Sequence, residues 1–151
     1  MEATALLKND HDTVRRLFQE FAEAGERSYE KKRALFRAIR LELALHARIE
    51  EEVFYPALMR IRFQGSREVV REALEEHQLF DGLVAEIDQM EPDDPRYEAK
   101  IASLRTRIEQ HIALEEGEMF AQARNHLTDE RLEVLGNRME ALKESLLASL
   151  G

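Results

Sequence analysis

The sequence predicts an all-α protein: an up-down-up-down four-helix bundle with an additional C-terminal helix. Three observations carry this. Apolar residues recur at helical spacing through almost the whole chain. Ala, Leu, Glu and Arg, all good helix formers, dominate, and only 6 Gly and 3 Pro interrupt them. The breaks between periodic segments are short, so successive helices must lie antiparallel to their neighbours. No run alternates like a β-strand, and no long linker divides the chain. A single domain is therefore expected over 1–151, with the bundle at about 4–124 and the last helix at about 128–149.

The first helix is expected at about 4–24. Its apolar stripe is Leu7, Val14, Phe18 and Phe21, with His11 in the same line, and Gly25 is its expected stop. The second begins after Ser28, a good N-cap residue, and runs to about 60. Leu35, Ile39, Leu43, Val53 and Ala57 form its stripe, in line with His46 and Glu50. Gly65 and Ser66 break the chain and open the third helix. That helix carries Val70, Leu74, Phe80, Val84 and Ile87, with His77 on the same face. The segment Glu91-Pro92-Asp93-Asp94-Pro95 is the clearest loop. Asp94 is expected to cap the fourth helix, with Pro95 at its first position. The fourth stripe, Ile101, Leu104 and Ile108, continues through His111 and Glu115 to about 124. Thr128 opens the last helix, with Leu132, Leu135, Met139, Leu142 and Leu146 at helical spacing.

Composition narrows the function. Hydrophobic residues make up 44% of the chain and charged residues 35%, the balance of a globular protein. The net charge of −9 leaves no basic face for nucleic acid or for anionic membranes. No apolar run approaches the ~20 residues of a membrane span, and Met1 to Asp12 lacks the pattern of a signal peptide. With no Cys there is no disulfide framework, thiolate zinc site or thiol nucleophile. A cytoplasmic protein is the expectation.

The apolar stripes explain their own Leu, Ile, Val and Phe as bundle core. They do not explain the polar residues set among them. His11, His46, His77 and His111 each lie on the apolar face of a different helix. Two of them have a glutamate four residues on, Glu50 after His46 and Glu115 after His111, so each pair shares a helix face. The spacing repeats: His46 follows His11 by 35 positions, and His111 follows His77 by 34. Two hairpins of one design, packed face to face, bring four imidazoles and two carboxylates to the bundle centre. Buried carboxylates are costly without compensation. Mutual His–Glu hydrogen bonding is one answer; a pair of divalent metals is the other, since imidazole and carboxylate both suit iron, manganese or zinc.

The chain resembles the hemerythrin-like (HHE cation-binding) domains over residues 7–124. The residues that carry the resemblance are Asp10-His11, then His46-Ala47-Arg48-Ile49-Glu50-Glu51 with Phe54-Tyr55-Pro56, then Glu76-His77, then His111-Ile112-Ala113-Leu114-Glu115-Glu116 with Met119-Phe120. The reversed Glu-x-x-His motif of ferritin-like di-iron proteins is absent from these faces. The resemblance implies a non-haem centre of two iron ions, oxo- or hydroxo-bridged. His11 and His46 would bind one iron, His77 and His111 the other, and Glu50 and Glu115 would bridge them. Oxygen-carrying hemerythrins use five His and a bridging Asp at i+5. Here the positions one turn from His77 hold Ala73 and Asp81, and the second bridge is Glu115 at i+4. Asp81 is a candidate seventh ligand or, in preference, a hydrogen-bond partner of His77. His126 falls in a polar context and is expected at the surface.

Six protein ligands leave open metal positions for a small ligand such as O2, peroxide or nitric oxide. The expected function is a di-iron protein that binds or reacts with such species, with peroxidase- or catalase-like turnover as one form. The alternatives are a regulatory module that senses iron or oxygen and reports through the last helix, and a metal store without catalysis. A second copy of the chain is a candidate partner through that helix. Leu43, Val53, Phe54, Phe80 and Ile108 are the expected apolar lining. Tyr55, close after Glu50, is expected near the centre or, in preference, spanning core and surface, and Glu51 and Glu116 are expected on a solvated face.

Overall fold

The computed structural model describes residues 1–150. Every regular element among them is helical: α1 (Ala3–Glu23), α2 (Tyr29–Ile49), α3 (Tyr55–Ile61), α4 (Ser66–Asp88), α5 (Tyr97–Leu114), α6 (Phe120–His126) and α7 (Asp129–Leu150). Two π turns join them into longer rods. Glu50–Phe54 links α2 to α3, and Glu115–Met119 links α5 to α6. The helices that the sequence predicts at 28–60 and up to 124 are therefore each interrupted, at the glutamate that follows their histidine. The second rod ends with Arg62 in the left-handed region (φ 50°), and Gly65 precedes α4 there too (φ 84°). The fourth rod runs on to His126.

The helix ends depart from expectation in detail. The chain leaves α1 through an extended Ala24, whose N–H donates to the Phe21 carbonyl, so no left-handed Gly25 is needed. Ser28 stands at the N-cap of α2 without a side-chain capping bond. Asp94 does not cap α5 at its expected position. It accepts from the Arg96 N–H at 2.9 Å within the loop, and the helix starts two residues after Pro95. Thr128 does cap the last helix, accepting from the Arg131 N–H at 3.0 Å. Glu2 caps α1, taking the N–H groups of Thr4 and Ala5.

α1 pairs with α2 and α4 with α5, as two hairpins. α7 lies against α1, α2 and the first π turn. It buries Leu132, Leu135, Gly136 and Met139 there, while Leu142 is partly buried. The stripes face inward as the spacing requires, except Leu74, which is 37% exposed. The buried apolar residues form two clusters. One holds Val14, Phe18, Phe21, Phe36, Ile39, Tyr97, Leu104 and their neighbours. The other holds Leu7, Ile49, Phe54, Leu58, Phe120, Leu135 and Met139. The polar site lies on the residues between them. No helix among the described residues is long and apolar enough to cross a membrane.

Candidate metal centre

The four histidines that the stripes singled out converge. His11 comes from α1, His46 from α2, His77 from α4 and His111 from α5, and all are buried. Glu50 and Glu115, each the first residue of a π turn, are fully buried between them. The ring centroids of His11 and His46 are 4.9 Å apart, and those of His77 and His111 are 5.1 Å apart.

Each glutamate divides its two oxygens between the two histidine pairs. Glu50 Oε2 lies 3.2 Å from His46 Nε2, and its Oε1 lies 3.2 Å from His77 Nε2 and 3.9 Å from His111 Nε2. Glu115 Oε1 lies 3.0 Å from His11 Nε2 and 3.7 Å from His46 Nε2, and its Oε2 lies 3.3 Å from His111 Nε2. The ligating atoms group into two sets: His11, His46, Glu50 and Glu115, and Glu50, His77 and His111. His46 Nε2, Glu50 Oε2 and His111 Nε2 are buried and have no hydrogen-bond partner. Orphaned polar atoms inside a bundle are costly. Here all three belong to donor types that bind divalent metals, and each is on a residue of the two ligand sets, His46 in the first, His111 in the second and Glu50 in both. The donor set fits a metal pair.

Electrostatics agree. Burial alone lowers an imidazole pKa. Against it, the Glu115 carboxylate raises His111 to about 12. His46 is raised well above its ordinary value, burial being outweighed by Glu50 and Asp10. His77 is raised despite burial, chiefly by Glu50. Burial opposes the ionisation of Glu115, yet its bonds to Glu50, His111 and His11 hold it well below the usual carboxylate range. The carboxylates thus favour the protonated form of three of the imidazoles, so a metal bound there would compete with protons.

The outward nitrogens are also engaged. His46 Nδ1–H donates to Asp10 at 3.0 Å, and His111 Nδ1–H to Glu76 at 3.0 Å. His77 Nδ1–H donates to Glu51 at 2.7 Å, and His11 Nδ1–H to Glu116 at 2.7 Å. These carboxylates fix the ring orientation and strengthen the inward nitrogen as a donor. Within each hairpin, the residue before the first histidine holds the second. Across the hairpins, the residue after each buried glutamate holds the first histidine of the other. Glu51 and Glu116 therefore do not sit on an idle solvated face. The sequence signal for them was their repetition beside Glu50 and Glu115 in both halves.

Asp81 is exposed and stands outside both sets, and Glu51 takes the histidine partner role expected of it. His126 is exposed, its Nδ1 bonded to the Gln122 carbonyl at 3.0 Å. Tyr55 takes the first of its two expected places, buried near the centre, and does not span core and surface. Its hydroxyl lies 2.6 Å from Glu115 Oε2, 3.1 Å from Glu50 Oε1 and 3.3 Å from His77 Nε2. The π turn explains this. Residues five apart in an α-helix point about 140° away from each other. In the wide turn, the Tyr55 N–H bonds to the Glu50 carbonyl, which carries Tyr55 over Glu50. Phe120 bears the same relation to Glu115 and stacks on His11, with ring centroids 6.0 Å apart.

A cavity of about 220 Å³ reaches all four imidazoles. Val14, Leu43, Phe80, Val84, Ile108 and Ile112 wall it, and the exposed Arg40, Ala44, Asp81 and Ala85 edge it. Of the expected lining, Leu43, Phe80 and Ile108 are here, whereas Val53 and Phe54 lie in the apolar cluster that includes α7.

Comparison with known proteins agrees with this site. The chain matches the model of the hemerythrin HHE cation binding domain over residues 2–123. It is 33% identical to an uncharacterized protein of Mycobacterium tuberculosis over 150 residues, covering 99% of this chain and 89% of the relative. It is 27% identical to a protein of Nostoc sp. named a DNA nickase, spanning all of this chain but only 42% of that protein. A crystal structure of an HHE cation binding domain-containing protein from Mycobacterium kansasii superimposes with a TM-score of 0.82 at 30% identity, covering 99% of this chain and 92% of the other. With two matched hairpins closing on one buried donor set, this chain belongs to the hemerythrin HHE cation-binding family.

Proposed function

We propose that the protein holds two iron ions, one on His11 and His46 and one on His77 and His111, bridged by Glu50 and Glu115, and that it binds or reacts with O2, peroxide or nitric oxide. One observation carries the reading: each buried glutamate presents one oxygen to each histidine pair. When bound, such a pair supplies open coordination positions for a small oxidant. The chain contributes the rest. Asp10, Glu51, Glu76 and Glu116 hold the imidazoles in their ligating orientation. The apolar walls of the cavity keep water sparse around the site and leave a path for a small ligand. The Tyr55 hydroxyl holds a proton at Glu115 Oε2. Tyr55 resists losing it, because burial and then the charges of Glu50 and Glu115 raise its pKa well above the ordinary value. The nicking activity named for the Nostoc relative is not carried over: that protein is more than twice as long, and this chain has a net charge of −9.

Metal analysis of the purified protein, with optical spectra in air and under dithionite, tests the reading. Two irons per chain and a charge-transfer absorption that bleaches on reduction support it. Less than one metal of any kind per chain overturns it.

A further inference from the structure

The cavity over the histidines, about 220 Å³, is larger than a diatomic gas or hydrogen peroxide needs. One water takes roughly 10–15 Å³ of such space, and an apolar cavity of about 150 Å³ holds a benzene molecule. Each histidine has an apolar lining residue one turn away on its own helix: Val14 beside His11, Leu43 beside His46, Phe80 beside His77 and Ile108 beside His111. Glu50 and Glu115 lie one turn away in the opposite direction along their helices, and neither they nor Tyr55 line the cavity. The carboxylates therefore close one side of the imidazole layer and the cavity opens on the other. The Nε2 atoms of His46 and His111, both without a hydrogen-bond partner, belong to residues that line it.

The cavity has one open edge. Its residues from α1 and α5 are all buried, whereas its exposed residues, Arg40, Ala44, Asp81 and Ala85, come from α2 and α4. The seam between α1 and α5 is bridged by Arg15 to Glu109 at 3.0 Å and by Arg105 to Gln19 at 3.2 Å. Across the seam between α2 and α4, Ala44, Ala47 and Ala85 are too short to meet. The ion pair that spans it there, Arg40 with Asp88 at 2.9 Å, lies one turn farther from the histidines. The site thus offers a slot, an apolar chamber and a set of oxygen-seeking groups at its inner end.

We propose that this cavity takes an organic hydroperoxide with a compact apolar body of about six to nine carbons. The molecule enters between α2 and α4, lays its body on Val14, Phe80, Val84 and Ile108, and turns its oxygens toward the imidazoles. Apolar surface leaves water on both partners when that body is buried, which hydrogen peroxide cannot match. The inference rests on the paired-metal reading above for what draws the oxygens inward; the chamber for the body belongs to the chain alone.

Cumene hydroperoxide and cumene, which lacks the oxygens, are the probes. Zn²⁺ is the loading metal, because it has no redox chemistry and leaves the hydroperoxide intact. Methyl NMR follows Val14, Val84, Ile108 and Ile112. Cumene hydroperoxide is expected to shift these signals saturably in the roughly millimolar range or below, and to bind the loaded protein at least about tenfold more tightly than the metal-free protein. Cumene is expected to shift the same methyls with equal affinity in both. Ala44→Phe and Ala85→Phe, at exposed positions of the slot, are expected to weaken both probes by at least about tenfold. The wild-type titration decides whether or not these variants fold. Loaded protein whose lining methyls respond to neither probe overturns the inference, as does a hydroperoxide that binds loaded and metal-free protein alike, or folded slot variants that bind as the wild type does. Less than one Zn²⁺ per chain by elemental analysis overturns the paired-metal reading and this inference with it.

Discussion

Glu50 and Glu115 have no solvent exposure, and each faces imidazoles at 3.0–3.3 Å. Removing one partner of a buried ion pair costs more than the pair contributes, because the other charge is left stranded. Glu115→Gln is therefore expected to destabilise the metal-free protein by about 3 kcal/mol, measured by urea unfolding. The same change should cut bound metal to half or less of the wild-type amount by elemental analysis, since one oxygen of Glu115 serves each pair. Loading should also release protons. His111 is raised to about 12, so at pH 7 it carries a proton that a metal must displace, and His46 and His77 are raised in the same direction by the carboxylates beside them. Calorimetric titration in two buffers of different ionisation enthalpy should show at least one proton released per chain, with affinity rising as pH rises. Buffer-independent heats would contradict the raised values. The six inward donors were legible in the sequence because each breaks an apolar stripe. The roles of Glu51 and Glu116 were not. A regular helix turns about 100° per residue and would carry them away from the site; a π turn rotates less per residue and keeps them beside it.

The π turns are the elements that sequence periodicity missed. They are rare, cluster at functional sites, and leave no propensity signature of their own. Here each starts at a buried glutamate, and each places an aromatic residue, Tyr55 or Phe120, beside a histidine. Helix ends were misread for another reason. Ser28 and Asp94 are good capping residues, but the approach of the chain decides whether a hydroxyl or carboxylate can turn back onto the helix. At α7 the deciding contact is steric. A Cβ on Gly136 would lie 2.0 Å from the Met1 carbonyl oxygen and 2.9 Å from the Glu2 carbonyl carbon. The N-terminal segment thus crosses α7 at a point where only glycine fits. Gly136→Ala should cost about 2 kcal/mol by forcing backbone apart, read as a lowered melting temperature. An unchanged melting temperature would mean that α7 does not dock as described.

At the scale of the molecule, the polar site is a layer between two apolar clusters, and both hairpins contribute to each. The metals would bind only the folded chain, so stripping them should lower the melting temperature, and returning them should restore it. The expected gain is about 2.7 kcal/mol at a hundredfold excess over the dissociation constant. Equal melting temperatures with and without chelator would show that the donor set is fully compensated by its own ion pairs.

Helical periodicity is a local property, so the sequence by itself determined the inward faces of the bundle helices and the six polar residues that share them. The rest depends on how those faces meet. The division of each glutamate between two histidine pairs, the cross-hairpin partners Glu51 and Glu116, and the approach of Lys143 to Asp10 across 133 positions of chain were decided only by the tertiary structure. Spacing along one helix orients a side chain, but it carries no information about which charge another helix will bring to meet it.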